Sequence, residues 1–125
     1  MNIIINNSSS VPLYEQIKNQ IKDEIIKSNL KPDDVLPSIR SLAKDLKVSI
    51  ITTKRAYEEL EKDGFIYTVT GKGSFIAEQN QERLREIMLS EIECKLEQII
   101  KQSKSLGVGV KEFIEIVELL YKEKD

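Results

Sequence analysis

Histidine is absent from this 125-residue sequence, and cysteine occurs once, at Cys94. The first absence removes the commonest general base, the Ser/His/Asp and Cys/His arrangements that depend on it, and the commonest zinc ligand. A single cysteine excludes an intramolecular disulfide, and its charged, helix-patterned surroundings are not those of a nucleophile. Long apolar runs are lacking as well. No stretch approaches the roughly 18 to 20 consecutive apolar residues of a membrane span, and Met1 to Ser10 carries no positive region ahead of its short Ile3-Ile4-Ile5 run. A cytoplasmic protein without a membrane partner is expected. Carboxylates are plentiful, but Glu58, Glu59 and Glu61, and further on Glu82, Glu86, Glu91, Glu93 and Glu97, are interleaved with basic residues on solvated helix faces rather than paired for acid-base work. The expectation is a protein that is not an enzyme and uses no metal and no cofactor.

An excess of positive charge is also missing, since the net charge is −2. Its distribution is uneven. Residues 1–77 carry 11 Lys and Arg against 10 Asp and Glu, while residues 78–125 carry 8 against 11. Between Arg40 and Arg55 the cations Arg40, Lys44, Lys47, Lys54 and Arg55 face only Asp45 in opposition. That local excess is the one candidate footprint for a polyanion.

What is present fits one compact core with a small appended unit, because 40% of the side chains are hydrophobic in a chain of one-domain length. Val11 and Pro12 open a segment with Leu13, Tyr14, Ile17, Ile21, Ile25 and Ile26 at helical spacing, which predicts a helix from Pro12 to Ser28. Pro32 and two aspartates make a loop, and Val35-Leu36 is a short extended piece before Pro37. Ser38 then caps a short helix with Ile39, Leu42, Ala43 and Leu46 on its apolar side. Lys47 and Val48 make a tight connection to a second cap, Ser49, and a helix with the stripe Thr53, Ala56, Tyr57 and Leu60, stopped by Gly64. Two short helices around a tight turn predict a helix-turn-helix. The β-prone run Phe65 to Val69, the tip Thr70-Gly71-Lys72-Gly73 and Ser74-Phe75-Ile76 predict a hairpin that serves as its wing. Beyond it, Leu84, Ile87, Met88, Ile92, Leu96, Ile99 and Ile100 form one apolar stripe, and Val110, Phe113, Ile114, Ile116, Val117, Leu120 and Tyr121 a second, separated by Gly107 and Gly109. Two helices of this length cannot bury their faces alone. The predicted fold is α+β and mostly helical: a winged helix-turn-helix over residues 1–77 and a two-helix tail over 78–125.

Three runs, in this order and spacing, resemble the GntR family of bacterial regulators and within it the short-tailed, YtrA-like group. They are Leu36-Pro37-Ser38-Ile39-Arg40-Ser41-Leu42-Ala43; Val48-Ser49 with Thr52 and Ala56-Tyr57-Glu58-Glu59-Leu60-Glu61-Lys62-Asp63-Gly64-Phe65-Ile66; and Thr70-Gly71-Lys72-Gly73-Ser74-Phe75-Ile76. The opening Val11-Pro12-Leu13-Tyr14-Glu15-Gln16-Ile17 is similar to that group too. Two positions depart from the pattern. Ile50 and Ile51 stand where members often carry Arg, Pro or Asn, and they can touch thymine methyl groups but cannot hydrogen-bond to a base edge. Asp34 stands where glycine is frequent.

The resemblance implies a transcription regulator, a repressor acting as a homodimer on a pseudo-palindromic operator in double-stranded DNA; members commonly repress operons of ATP-binding-cassette transporters. It places the second helix of the motif in the major groove. The candidate DNA-binding residues are Ser38, Arg40, Ser49, Ile50, Ile51, Thr52, Lys54, Arg55, Thr70, Gly71 and Lys72. Arg40 would reach a base or a phosphate; Ser49 either caps its helix only or also touches phosphate; Lys54 faces groove or backbone; Arg55 contacts DNA or pairs with Glu58 or Glu59. Thr70, Gly71 and Lys72 would enter the minor groove. Leu84, Met88, Ile92, Leu96, Ile99, Phe113 and Val117 are the candidate dimerisation residues. No ligand site for a small-molecule effector is legible. The rival reading is a winged helix that binds protein and has no affinity for DNA.

Overall fold

The structure, a computed structural model, describes residues 1–123. The chain runs α1 (Leu13–Ile26), α2 (Ile39–Leu46), α3 (Ile50–Lys62), β1 (Ile66–Val69), β2 (Gly73–Ile76), α4 (Gln81–Ser105) and α5 (Val110–Glu123). It divides into two compact units, Met1–Gln81 and the part from Glu82 onward. The division lies past residue 77 because the connection is tied to the first unit: the Ala77 N–H donates to Phe65 O at 3.0 Å and the Gln79 amide to Gly64 O at 3.3 Å.

In the first unit α1 contributes Ile17, Ile21 and Ile25, one helical turn apart and all buried. They meet the face of α3 formed by Thr53, Ala56, Tyr57 and Leu60, again all buried, and Leu42 and Ala43 of α2 close the other side. Ile17, Ile21, Leu60 and Ile76 have no exposed surface, and burying each contributes about 1.5–3 kcal/mol. Two polar groups enter this core with partners. The Thr53 hydroxyl donates to Ser49 O at 3.2 Å, and the Tyr57 hydroxyl donates to Pro37 O at 2.7 Å, fastening the segment that leads into α2 onto α3.

The helices α1, α2, α3 and α4 end alike. Each is followed by a left-handed residue, Ser28 (φ 62), Lys47 (φ 58), Gly64 (φ 81) and Gly107 (φ 78). In each the next N–H reaches back five residues, Asn29 to Glu24, Val48 to Ala43, Phe65 to Leu60 and Val108 to Ser103. This geometry satisfies last-turn carbonyls and usually takes glycine. Ser28 therefore stops α1 at Ile26, two residues before the expected end. Lys47 adopts the same conformation in the turn between α2 and α3 without glycine's freedom.

The wing is an antiparallel pair in the register Ile66↔Ile76, Tyr67↔Phe75, Thr68↔Ser74 and Val69↔Gly73. Its outer edge is extended by the predicted Val35-Leu36 piece: Leu36 N–H donates to Ser74 O, Ile76 N–H to Asp34 O and Asp33 N–H to Ile76 O, at 2.8 to 2.9 Å. Where glycine is frequent in the resembling family, Asp34 instead caps the turn, its carboxylate accepting from Lys31 N–H at 2.8 Å, and the left-handed residue is Asp33 (φ 71). Aspartate tolerates that region better than most side chains.

The N-terminal arm lies along α1 through two glutamines one turn apart. Gln20 accepts from Ile4 N–H and donates to Ile4 O, while Gln16 accepts from Asn6 N–H and donates to Asn6 O and Val11 O. In the second unit α4 buries only Leu84 and α5 buries nothing. Around their connection the two helices share the lining of one hollow, with Ile100 and Ser103 from α4 and Val110 and Phe113 from α5.

Candidate nucleic-acid interface

Each of α2 and α3 begins with an extended serine whose hydroxyl accepts from the N–H three residues on, Ser38 from Ser41 at 3.1 Å and Ser49 from Thr52 at 3.0 Å. Ser38 is thereby used as a cap, and Arg40 projects from the exposed side of the first turn. Ser49 does more. Its hydroxyl also donates to Thr52 Oγ1 at 2.8 Å, which leaves the Thr52 hydroxyl hydrogen directed away from Ser49. An outward donor at a helix N-terminus suits a phosphate oxygen.

At about 100° per residue, Ile51 is placed roughly opposite the buried stripe of α3, with Lys54 and Arg55 to either side. Ile51 is 80% exposed and Ile50 45% exposed. Lys54 is exposed with its ammonium 4.0 Å from Glu58 Oε1, an exposed pair worth little. Arg55 makes a contact within the fold that the sequence did not suggest. Its guanidinium lies over the Tyr14 ring of α1, 3.8 Å from the centroid, so a cation–π contact fixes it at the α1–α3 seam. The hollow beside it, about 640 Å³, is lined by Arg55, Glu58, Glu59, Glu61 and Lys62. Three carboxylates along the second half of α3 repel a phosphate backbone, so only the first two turns suit DNA.

At the wing tip Thr70, Gly71 and Lys72 are exposed, and Lys72 N–H closes the turn on Val69 O at 2.9 Å. Gly71 (φ 81) has open space where a Cβ would be, so the backbone angle and not crowding requires glycine. At the wing's base the Tyr67 ring stacks on Phe75 at 5.5 Å, and its hydroxyl donates to Asp33 Oδ1 at 2.6 Å. That hydrogen bond to a carboxylate pushes the Tyr67 hydroxyl above its ordinary range.

Sequence reasoning overlooked two contributors. Lys47 was legible as a charge and as part of the tight connection, but its left-handed backbone, which sets a cation in the turn immediately before Ser49, was not. The Tyr67–Asp33 bond was missed because its partners lie 34 residues apart.

In the tail, Met88 (44%), Ile92 (57%), Leu96 (40%) and Ile99 (51%) are exposed along α4, whereas Leu84 is buried within the single chain. Phe113 and Val117 of α5 are half-buried. Around the α4–α5 connection Ile100, Val108, Val110 and Phe113 with Ser103 and Lys104 line a mostly apolar hollow of about 260 Å³. No helix among the described residues is long and apolar enough to cross a membrane.

Fold and surface together define a winged helix-turn-helix with an appended helical tail. Residues 13–76 match the family described as bacterial regulatory proteins, gntR family. The chain is 37% identical over 116 residues to the HTH-type transcriptional repressor YtrA of Bacillus subtilis (strain 168), covering 93% of this chain and 89% of YtrA. Its structure is similar to the crystal structure of a transcriptional regulator from Oenococcus oeni, with a TM-score of 0.79, 30% identity, and coverage of 94% of this chain and 97% of that one. It is also similar to the AraR DNA-binding domain solved in complex with the operator ORX1, with a TM-score of 0.55, 29% identity, and coverage of 62% and 96%. The chain belongs to the GntR family. It is a DNA-binding transcription regulator and not an enzyme.

Proposed function

We propose that this regulator is a repressor that binds a pseudo-palindromic operator as a homodimer, joined through its tail. Ser49, Thr52 and Lys54, with Ile50 and Ile51, form the major-groove surface at the start of α3. Arg40 reaches a base or phosphate from α2, Ser38 sets that helix's first turn at the backbone, and Lys72 with Thr70 and Gly71 addresses the minor groove. Arg55, stacked on Tyr14, is at most a phosphate ligand. Repression itself is supported by the names of relatives such as YtrA.

The observation that carries the dimer is the unpartnered apolar surface of the tail. On α5, Val110, Ile114, Ile116, Leu119, Leu120 and Tyr121 are all between 46% and 76% exposed, on more than half of the helix circumference. A face that wide needs more than α4 to cover it, and α4 exposes its own stripe. A second copy supplies both partners at once, as a two-fold interface requires. The tail so assembled tethers two recognition surfaces, which raises affinity for a two-half-site duplex by about 10²- to 10⁴-fold.

Leu96→Asp tests this by placing a carboxylate in the seam. Sedimentation is expected to show a monomer, with an unchanged circular dichroism spectrum over the winged helix. Gel-shift titration on a duplex selected by the wild-type protein is expected to show the loss of tethered affinity. A variant that stays dimeric, or is monomeric and binds as tightly as wild type, refutes the reading.

A further inference from the structure

We propose that Ile51, flanked by Ile50, reads thymine methyl groups in the major groove, so that this regulator's specificity rests in part on apolar contact. The inference deepens the DNA-binding reading above and rests on it. Isolated exposed apolar side chains are ordinary on protein surfaces. Two adjacent isoleucines at the first two positions of α3, 45% and 80% exposed, are placed differently. Their neighbours in sequence are Ser49 and Thr52, whose paired hydroxyls suit a phosphate, and on either side stand the cations Lys47 and Lys54. A polyanion held by those groups lies against Ile51, because Ile51 is on the side of α3 opposite its buried stripe.

The major-groove edge of an A·T pair offers an amino donor, two acceptors and one apolar group, the thymine methyl. Isoleucine has no donor or acceptor, so the methyl is the only one of these it can recognise. Over a G·C pair the same side chain strips water from O6, N7 and N4 and replaces none of their hydrogen bonds. Ile51 therefore acts in both directions, favouring thymine and disfavouring G·C at the same step. Removing one methyl group from apolar contact corresponds to about a fourfold change in affinity, from roughly 0.8 kcal/mol per group.

The test uses the full chain to enrich duplexes from a random-sequence library. An enriched duplex is then synthesised with thymine and again with deoxyuridine, which lacks only the methyl group. Fluorescence anisotropy titrations of wild type and Ile51→Ala against both duplexes form a cycle. The variant keeps its fold because Ile51 takes no part in the core and alanine favours helix. The expected result is a thymine over deoxyuridine preference of about fourfold or more for wild type, falling toward one in Ile51→Ala, with thymine recurring at one step of the enriched sites. Equal binding of both duplexes by wild type overturns the inference and leaves DNA binding standing. A preference that persists undiminished in the variant assigns it to DNA shape and also overturns the role of Ile51. Failure to enrich any duplex overturns the DNA-binding reading itself.

Discussion

Replacing Ser49 in two ways separates its two jobs. The hydroxyl accepts from Thr52 N–H at 3.0 Å and so caps α3. Ser49→Ala removes the acceptor and is expected to cost about 1 kcal/mol. In a unit of this size that lowers Tm by roughly 4–8 °C. Ser49→Asp keeps an acceptor in place, and its charge at the helix N-terminus contributes about 0.3–1 kcal/mol in its favour. Its stability should equal or exceed that of wild type. Towards DNA the same substitution is hostile, because a carboxylate then stands where a phosphate is to sit. Two like charges about 4 Å apart repel by about 1 kcal/mol in water and about 4 kcal/mol at the effective dielectric of a protein surface. The expected loss of operator affinity is therefore between about fivefold and about a thousandfold per half-site. Thermal melts and anisotropy titrations of both variants on a selected duplex read the two effects apart, and the aspartate penalty should shrink as salt rises. If Ser49→Asp melts like wild type and binds DNA equally well, the N-terminus of α3 does not face phosphate. The placement of the major-groove surface would then be wrong.

Two further outcomes follow from strained or shifted groups. Lys47→Gly relieves a left-handed backbone that costs a lysine about 1–2 kcal/mol and adds unfolded-state entropy of about 0.4–1 kcal/mol, so urea unfolding should show stability unchanged or raised by about 1 kcal/mol while operator affinity falls; a variant with undiminished affinity removes Lys47 from the interface. Tyr67 should titrate above the ordinary tyrosine value of 10.0 when its ring is followed by NMR, and Asp33→Asn should bring it back towards that value. The sign is that of a raised pKa: the Tyr67–Asp33 bond is fully present below pH 10 and lost as pH rises through the raised value, so an unshifted Tyr67 contradicts the geometry.

The local parts of the fold were legible and the long-range ones were not. Period alone identified Thr53, Ala56, Tyr57 and Leu60 as one face, and all four are buried. Ser38 and Ser49 were recognisable as caps because a hydroxyl three residues before an N–H is a short-range device. Ile39 and Leu46 share the α2 stripe yet are only half-buried, since the ends of an eight-residue helix reach past the core. The arm held by Gln16 and Gln20, the Arg55–Tyr14 stack and the Tyr67–Asp33 bond join residues brought near only by the fold. Left-handed Ser28, Asp33 and Lys47 escaped notice because glycine or asparagine is the usual mark of that conformation. In the tail the apolar stripes were legible, but the burial of Leu84 beside the exposure of Met88, Ile92 and Leu96 was not, because pattern does not say which neighbour covers a face.

The unusual charge of this regulator bears on how it discriminates. Sequence-independent affinity for DNA grows with the number of phosphates neutralised. Here the cations between Arg40 and Arg55 are opposed only by Asp45, while the second half of α3 and the tail carry a net negative charge. The net negative charge of the tail and of the second half of α3 disfavours phosphate there, so attraction is concentrated at the cations of α2, the start of α3 and the wing tip. Specificity is a difference between affinities, so the phosphate term shared by all sequences cancels and the contacts to base edges set the preference. A methyl contact from Ile51 adds little in absolute terms. On the proposed two-fold site it counts once in each half, so two such contacts together favour an operator with thymine at both steps over unselected sequence.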